Sequence, residues 1–291
     1  MVRTLAPLGE VVALDRDALD LTQSDATRST VRALAADVIV NAAAYTHVDQ
    51  AETEPQLATR VNADAPAVLA EEARRSDALL VHFSTDYVFR GDILTSYREE
   101  DEPSPMTAYG RSKLAGDHAV LGSGAFAYVF RVGWVYGRRG RNFLQTIQRL
   151  TRERDVLRIV NDQYGSPTWS RAIAEAVSLT IGGWLDARRR HREAAPAGLY
   201  HMSAPDHTTW YAFASAIVEA LPAPEGRPRP RITPITTAEY PTPATRPQRS
   251  VLDSRHLRDT FGLSLPAWRD QLAMCLDEMV MMSNEGAAEL V

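Results

Sequence analysis

A single cysteine and a single lysine stand in a chain of 291 residues. The lone cysteine, Cys275, excludes an internal disulfide and any metal site built from paired thiolates. His47, His82 and His201 lack the mutual spacing of metal ligands, so no metal site is expected from them. No apolar run approaches the roughly 20 residues that span a bilayer, so no membrane partner is expected. The opening residues, Met1 to Pro7, lack the apolar centre of a secretory signal, and the cytoplasm is the expected location. A formal net charge of −5 gives no electrostatic footprint for nucleic acid. The one concentrated basic stretch, Arg188 to Arg192, reads as a solvated helix end. What remains has the 45% apolar and 24% charged residues of an ordinary globular protein.

The scarcity of lysine is itself informative. Every other permanently cationic side chain is arginine, and the one ammonium, Lys113, falls four residues after Tyr109. On a helix this spacing puts phenol and ammonium on one face, a turn apart. Arginine is a planar fork that stays charged, whereas lysine is a compact point charge. A chain that writes arginine everywhere else but lysine here points to a chemical requirement. With the hydroxyl of Thr85, the pair makes a proton-delivery set.

Apolar runs at residues 10–14, 37–41, 77–85 and 126–134 read as strands of a parallel sheet. Between them, residues 55–75 and 105–121 carry helical spacing. The alternation predicts an α/β fold, a doubly wound parallel sheet with helices on both faces. Ligands of such sheets bind beyond the carboxyl ends of the strands. Asn41 with Ala42, Ala43 and Ala44, then Ser84, Thr85 and Asp86, then Gly133 and Trp134 all follow strands at that edge. Asp15 also follows an expected strand, where an acidic residue suits an adenosine ribose, while Arg16 suits a 2′-phosphate. An ordinary turn explains that pair equally. Further on, a helix over 143–152, a strand over 156–160, a helix running to about residue 181 and a strand over 198–203 are predicted.

Together the segments DVIVNAAAYTHVDQAE (37–52), VHFSTDYVFRG (81–91), SPMTAYGRSKLAGD (104–117), RVGWVYG (131–137), NDQYGSPT (161–168) and YPTPATRP (240–247) form a recognisable series. The chain resembles the extended short-chain dehydrogenase/reductases, and among them the dTDP-4-dehydrorhamnose reductases, over nearly its whole length. The resemblance implies a Rossmann-like dinucleotide domain over residues 1–150, to which segments near 156–181 return, and a mainly nucleotide-sugar-binding domain over 151–291. It implies reduction of the 4-keto group of dTDP-4-dehydro-L-rhamnose by NADPH or NADH, the last step of dTDP-rhamnose synthesis. Tyr109 is then the acid. Lys113 holds the nicotinamide ribose and lowers the phenol's pKa, and Thr85 bonds the reacting oxygen. Asp86 and Trp134 line the sugar pocket. Ala42, Ala43 and Ala44 pass under the cofactor, Phe83 lies close to it, and Asp15, Asp20 and Leu21 border its adenosine. Arg246 is suited to a diphosphate because its fork binds phosphate oxygens in pairs. Each has a structural alternative: Asp86 as a turn cap, Trp134 as core between the domains, Arg246 as a surface arginine. Some relatives place magnesium at a dimer contact made of glutamates; no matching glutamates are found here, and a homodimer stays open.

One departure stands out. The family begins with a strand and a G-x-x-G-x-x-G turn leading into a helix, and here Gly9 is alone between Met1 and Glu10. The preferred expectation is roughly 15 further residues upstream, enough for one strand and its turn. A shortened chain and a degenerate relative are the alternatives. The sequence as written is expected to bind NADPH poorly or to fold poorly. Two other functions compete: a nucleotide-sugar epimerase or dehydratase of the same superfamily, and an inactive regulatory relative. The NDQYGSPT and YPTPATRP segments favour the reductase over the first, and the intact Tyr109, Lys113 and Thr85 set argues against the second.

Overall fold

The computed structural model describes residues 1–224 and 226–288. In the first half the apolar runs and helical spacings become α1 (Ser24–Leu34), β1 (Val38–Asn41), α2 (Ala65–Ser76), β2 (Leu79–Thr85), α3 (Ala108–Leu121) and β3 (Ala127–Val132). Then follow α4 (Phe143–Glu153), β4 (Val156–Val160), α5 (Ser170–Arg189), β5 (Gly198–His201), α6 (Trp210–Ala220) and β6 (Arg231–Ile235). Two helices close the chain, α7 (Arg255–Phe261) and α8 (Trp268–Ala288). The main sheet is parallel, in the order β1-β2-β3-β5. Its register sets Val38 beside Leu79, Leu80 beside Ala127 and Tyr128 beside Gly198.

Both faces of the sheet are covered, as a crossover-linked parallel sheet requires. Successive side chains on a strand point to opposite faces. Leu79, Val81, Tyr128 and Phe130 face one core with Val177, Ile181 and Trp184 of α5. Leu80, Ala127 and Val129 face the other, with Leu69 and Ala73 of α2 and Val120 of α3. This explains why the strands read as unbroken apolar runs.

Three readings of the sequence are corrected here. The strand expected over residues 10–14 does not form; that stretch has no regular structure, and Val12 and Leu14 are exposed. A strand needs a neighbour for its backbone groups. Among the described residues the sheet ends at β1, whose outer edge pairs with no strand. The helix over 55–75 is interrupted: Pro55–Thr59 continues into a π turn, Arg60–Asp64, before α2 begins. Finally residues 231–235, to which the sequence assigned no element, form β6 and pair in parallel with β4, with Pro234 inside the strand. A two-stranded sheet consists only of edges, where proline is tolerated.

Helix α1 is tied to α2 through one buried carboxylate. Glu72 accepts from Arg32 Nη2 at 2.7 Å and Nε at 2.8 Å, and from Arg75 Nε at 2.8 Å. Hydrogen bonds from Arg32 first, and then Arg75, hold the Glu72 carboxyl down to about 2 against an ordinary 4.5. A depressed carboxylate stabilises the fold above its unfolded pKa and ceases to as pH falls through its folded value. Glu72→Gln should therefore be less stable than the parent at neutral pH and shed part of the parent's loss of stability between pH 4.5 and about 2. Urea midpoints across that range measure this, and an unchanged acid slope in the variant contradicts it.

Candidate active site

The carboxyl ends of β1, β2 and β3 lie side by side, with Asn41 beside His82 and Thr85 beside Val132. Beyond them the chain presents Ala42 to Ala44, Thr85 and Asp86, and Gly133 and Trp134 at one edge, as expected. Ala42 and Ala43 are exposed and Ala44 half-buried, so this small-side-chain strip is accessible.

Helix α3 brings the phenol and the ammonium to that edge. Its N-terminus is fixed twice. The Gly110 N–H donates to Thr107 Oγ1 at 2.9 Å and the Ala108 N–H to Glu52 Oε1 at 2.8 Å. An N-cap of this kind contributes about 1 kcal/mol. The helix also sits unusually close to its neighbours. A side chain at Gly110 would run into the Tyr87 carbonyl, and one at Gly116 into the Asn62 carbonyl. Asn62 belongs to the π turn, a feature frequent at functional sites. It accepts from the Tyr45 N–H at 2.8 Å and donates to the Tyr45 carbonyl and to Ser112 Oγ, both at 3.0 Å. The Ser112 hydroxyl in turn donates to the Tyr109 carbonyl at 2.7 Å. The loop after β1 and the helix bearing Tyr109 are thus joined through one amide.

Lys113 is almost wholly buried, with 1% of its surface exposed. Its Nζ donates to the Phe83 carbonyl at 2.5 Å and lies 3.4 Å from His82 Nε2. His82 Nδ1 meets the Asn41 amide at 3.1 Å. Burial pushes the Lys113 ammonium down to about 8, against the pull of the Asp117 carboxylate. Burial likewise drives His82 well below its usual range, with the Lys113 charge adding to it. The resemblance assigns Lys113 the lowering of the Tyr109 pKa; in this arrangement burial sets the direction of the phenol's shift. Burial pushes the phenol up to about 12; Thr85 opposes this, while Asp86 and Asp117 add to it. The ammonium is engaged by the Phe83 carbonyl, and burial is the largest influence on the phenol.

Thr85 and Asp86 form the opposite wall. The Thr85 hydroxyl donates to Asp86 Oδ1 at 3.1 Å and accepts from the Tyr87 N–H at 3.2 Å. Asp86 is buried, and Oδ2 has no hydrogen-bond partner among the described residues. Burial pushes its carboxyl up to about 6, against a pull from Ser250 and Thr85. The Tyr87 ring meets the Tyr109 ring edge-on, 5.9 Å between centroids.

The remaining expected residues separate into two groups. Trp134 sits at the edge in a left-handed backbone conformation (φ 47°), half-buried and stacked on Trp210 at 3.4 Å. Its indole lies over Gly165, where a side chain would collide with the ring. Arg246 reaches the site from the C-terminal half, but Asp49 takes up its fork: each terminal nitrogen bonds one carboxylate oxygen at 2.9 Å. By contrast Asp15, Arg16, Asp20 and Leu21 lie in turns outside the sheet. Asp15 accepts from the N–H groups of Asp17 and Ala18, and Asp20 from that of Thr22. An ordinary turn is therefore what Asp15 and Arg16 form. For a dinucleotide, the edge fits the nicotinamide riboside end: a phenol, a buried ammonium and a strip of alanines. No glycine-rich strand-to-helix turn that would cradle a pyrophosphate occurs among the described residues.

Several residues around the candidate site escaped the sequence reading: Asn62, Ser112, Asp117 and its ion-pair partner Arg131. Asp117 had a usable signal, since it stands one further helical turn beyond Lys113 on the same face. Asn62 had none, because its position depends on the π turn.

The raised Asp86 pKa has a stability consequence. Between 3.8 and about 6 the folded chain holds a proton that the unfolded chain releases. The stabilisation is therefore complete below 3.8 and lost as pH rises through about 6. Asp86→Asn should exceed the parent in stability at pH 8 and lose that advantage at pH 3.5, as read from urea midpoints. The same offset at both pH values would contradict it.

A family model described as the RmlD substrate binding domain matches residues 1–281. A Burkholderia thailandensis protein named dTDP-4-dehydrorhamnose reductase is 43% identical over 283 residues, covering 96% of this chain and 94% of the relative. A protein of the same name from Salmonella typhimurium is 39% identical, over 95% of this chain and 92% of its own. The crystal structure of dTDP-4-dehydrorhamnose reductase from Bacillus anthracis in complex with NADP superposes with a TM-score of 0.81 at 32% identity, covering 92% of this chain and 90% of that one. On the matched fold, the arrangement of strand ends and these relatives, the chain belongs to the dTDP-4-dehydrorhamnose reductase family.

Proposed function

We propose that the chain reduces the 4-keto group of dTDP-4-dehydro-β-L-rhamnose to give dTDP-β-L-rhamnose, with NADPH or NADH as reductant. One observation carries the reading: Tyr109, Lys113 and Thr85 meet at the carboxyl end of a doubly wound sheet, in a family whose members bear that activity in their names. Residues 1–150 mainly take the dinucleotide and residues 151–291 mainly the nucleotide sugar.

Carbonyl reduction requires a hydride at carbon and a proton at oxygen. The nicotinamide cofactor, when bound, supplies the hydride. The protein's task is the proton. With its pKa near 12, Tyr109 is a neutral phenol at physiological pH and so carries the proton to be donated. Thr85 directs a hydroxyl to the same oxygen. The Lys113 ammonium is the one cation beneath the phenol on its helix face, placed to steady the phenolate that donation leaves and to hold the nicotinamide ribose. Asp86 and Trp134 orient the sugar ring, and Phe83 borders the nicotinamide. Arg246 meets the diphosphate once Asp49 releases it. The alanines 42–44 admit the cofactor closely because they are small. Asp15, Arg16, Asp20 and Leu21 remain candidates for the adenosine end, in a segment that stands free of the sheet. A dehydratase or epimerase reading is less well supported, since Asp86 is followed by Tyr87 and not by a second acid.

The test is NADPH oxidation on addition of the 4-keto sugar nucleotide, at saturating cofactor because no glycine-rich cradle stands among the described residues. Tyr109→Phe should lower turnover about 10²–10⁴-fold, the usual contribution of a positioned acid, and leave the fold intact. Lys113→Arg should also lose most turnover, because a planar fork does not fit the ammonium's place against the Phe83 carbonyl. Full turnover in either variant would end this assignment. In the parent, turnover should fall as pH rises through about 8, where Lys113 loses its proton; a flat alkaline profile would contradict the ammonium's role.

A further inference from the structure

Beneath the proton-delivery set lies an ion pair that the mechanism above does not use. Asp117 of α3 and Arg131 of β3 pair at 3.1 Å through Oδ2 and Nε, with 0% and 3% of their side chains exposed. Asp117 Oδ1 and Arg131 Nη1 have no hydrogen-bond partner among the described residues. A staple whose only purpose was to fasten helix to strand would be expected to use both oxygens and both nitrogens, the bidentate geometry arginine favours. This one leaves one carboxylate oxygen and one terminal nitrogen out of the pair in a dry place, with the Ser84 hydroxyl beside the carboxylate.

The helix explains what the remaining half of the carboxylate serves. Tyr109, Lys113 and Asp117 follow at four-residue intervals, one stripe of α3 turned toward β2 and β3. Lys113 and Asp117 attract each other, and Ser84 stands beside the same carboxylate. The other groups packed around this stretch do not supply a second anion to the ammonium. Strand β2 offers His82, kept neutral by burial, and the Phe83 carbonyl. The π turn offers the neutral amide of Asn62, and β3 offers the cation Arg131. Tyr109 is a neutral phenol, and Asp86 lies at the far end of β2, beyond Thr85.

We propose that Asp117 is a positioning residue, a carboxylate bonded to Arg131 whose charge, one turn along α3, keeps the buried Lys113 ammonium charged beneath Tyr109. Arg131 fixes the carboxylate and holds it ionised against burial, and so acts on Lys113 through Asp117. An isolated ammonium buried this deeply would give up its proton. The proposal rests on the role given to Lys113 in catalysis, but its central test does not require turnover.

That test uses the fact that Lys113 is the chain's only lysine. Protein made with lysine carrying ¹³C at Cε gives a single side-chain NMR signal, whose titration reads the charge of this one ammonium. In the parent the midpoint should lie near 8. In Asp117→Asn it should move down by about one pH unit or more, the effect of losing a close opposite charge. In Arg131→Gln it should also move down, because Arg131 is the strongest influence holding the buried Asp117 carboxylate ionised. An unmoved midpoint in Asp117→Asn, even with lowered thermal stability, would make Asp117 a structural staple only and overturn the proposal. So would an unmoved midpoint in Arg131→Gln, which also serves as the test should Asp117→Asn fail to fold. If the chain proved not to reduce the keto sugar, these titrations would still decide the point. If it does, the alkaline limb of turnover in Asp117→Asn should shift with the NMR midpoint.

Discussion

A charged ammonium held out of water is the constraint on which the site depends. Lys113 is buried to the same degree as the apolar side chains around it, and an isolated ion in such a place is strongly disfavoured. Its partners arrive from three directions: the Phe83 carbonyl from β2, His82 beside it, and Asp117 one helical turn along α3. Each depends on the sheet and the helix being in register. Gly116 lets α3 approach the Asn62 carbonyl, Thr107 and Glu52 fix where the helix begins, and Arg131 anchors the far end through Asp117. Much of the local architecture is what places one charge where solvent would not leave it.

The electrostatics then separate into two halves of opposite character. On the helix side, burial leaves Tyr109 neutral and Lys113 only just charged at physiological pH. On the strand side, Asp86 is held close to its titration point by the same burial. A carbonyl oxygen entering between Thr85 and Tyr109 meets donors. The negative charge nearby belongs to groups whose ionisation the fold already disfavours. Such an arrangement suits a reaction in which charge develops on oxygen and is quenched by a proton.

Much of this was legible in the sequence, and the limits have physical causes. Parallel strands buried on both faces read as continuous apolar runs, so the strand beginning at Leu79 and the one beginning at Ala127 were found within two residues. The lone lysine and its four-residue spacing pointed to the candidate site. Residues 10–14 read as a strand on composition alone, but a strand exists only through its neighbour, and none lies beside it among the described residues. The π turn at Arg60–Asp64 is a backbone adjustment that side-chain spacing does not encode, and with it the bridging role of Asn62 stayed hidden. Arg246 was read as a phosphate ligand from its chemistry; that Asp49, distant in sequence, takes up its fork is a tertiary fact.

The proposed reduction of the sugar carbonyl delivers a proton to oxygen while hydride arrives at carbon. Its most direct test follows the hydride. With NADPH carrying deuterium at the transferred position and dTDP-4-dehydro-β-L-rhamnose as substrate, the sugar product should carry a single deuterium at C4, and one equivalent of cofactor should be consumed. A product without deuterium at C4, or conversion with no net consumption of cofactor as an epimerase or dehydratase would give, would contradict it.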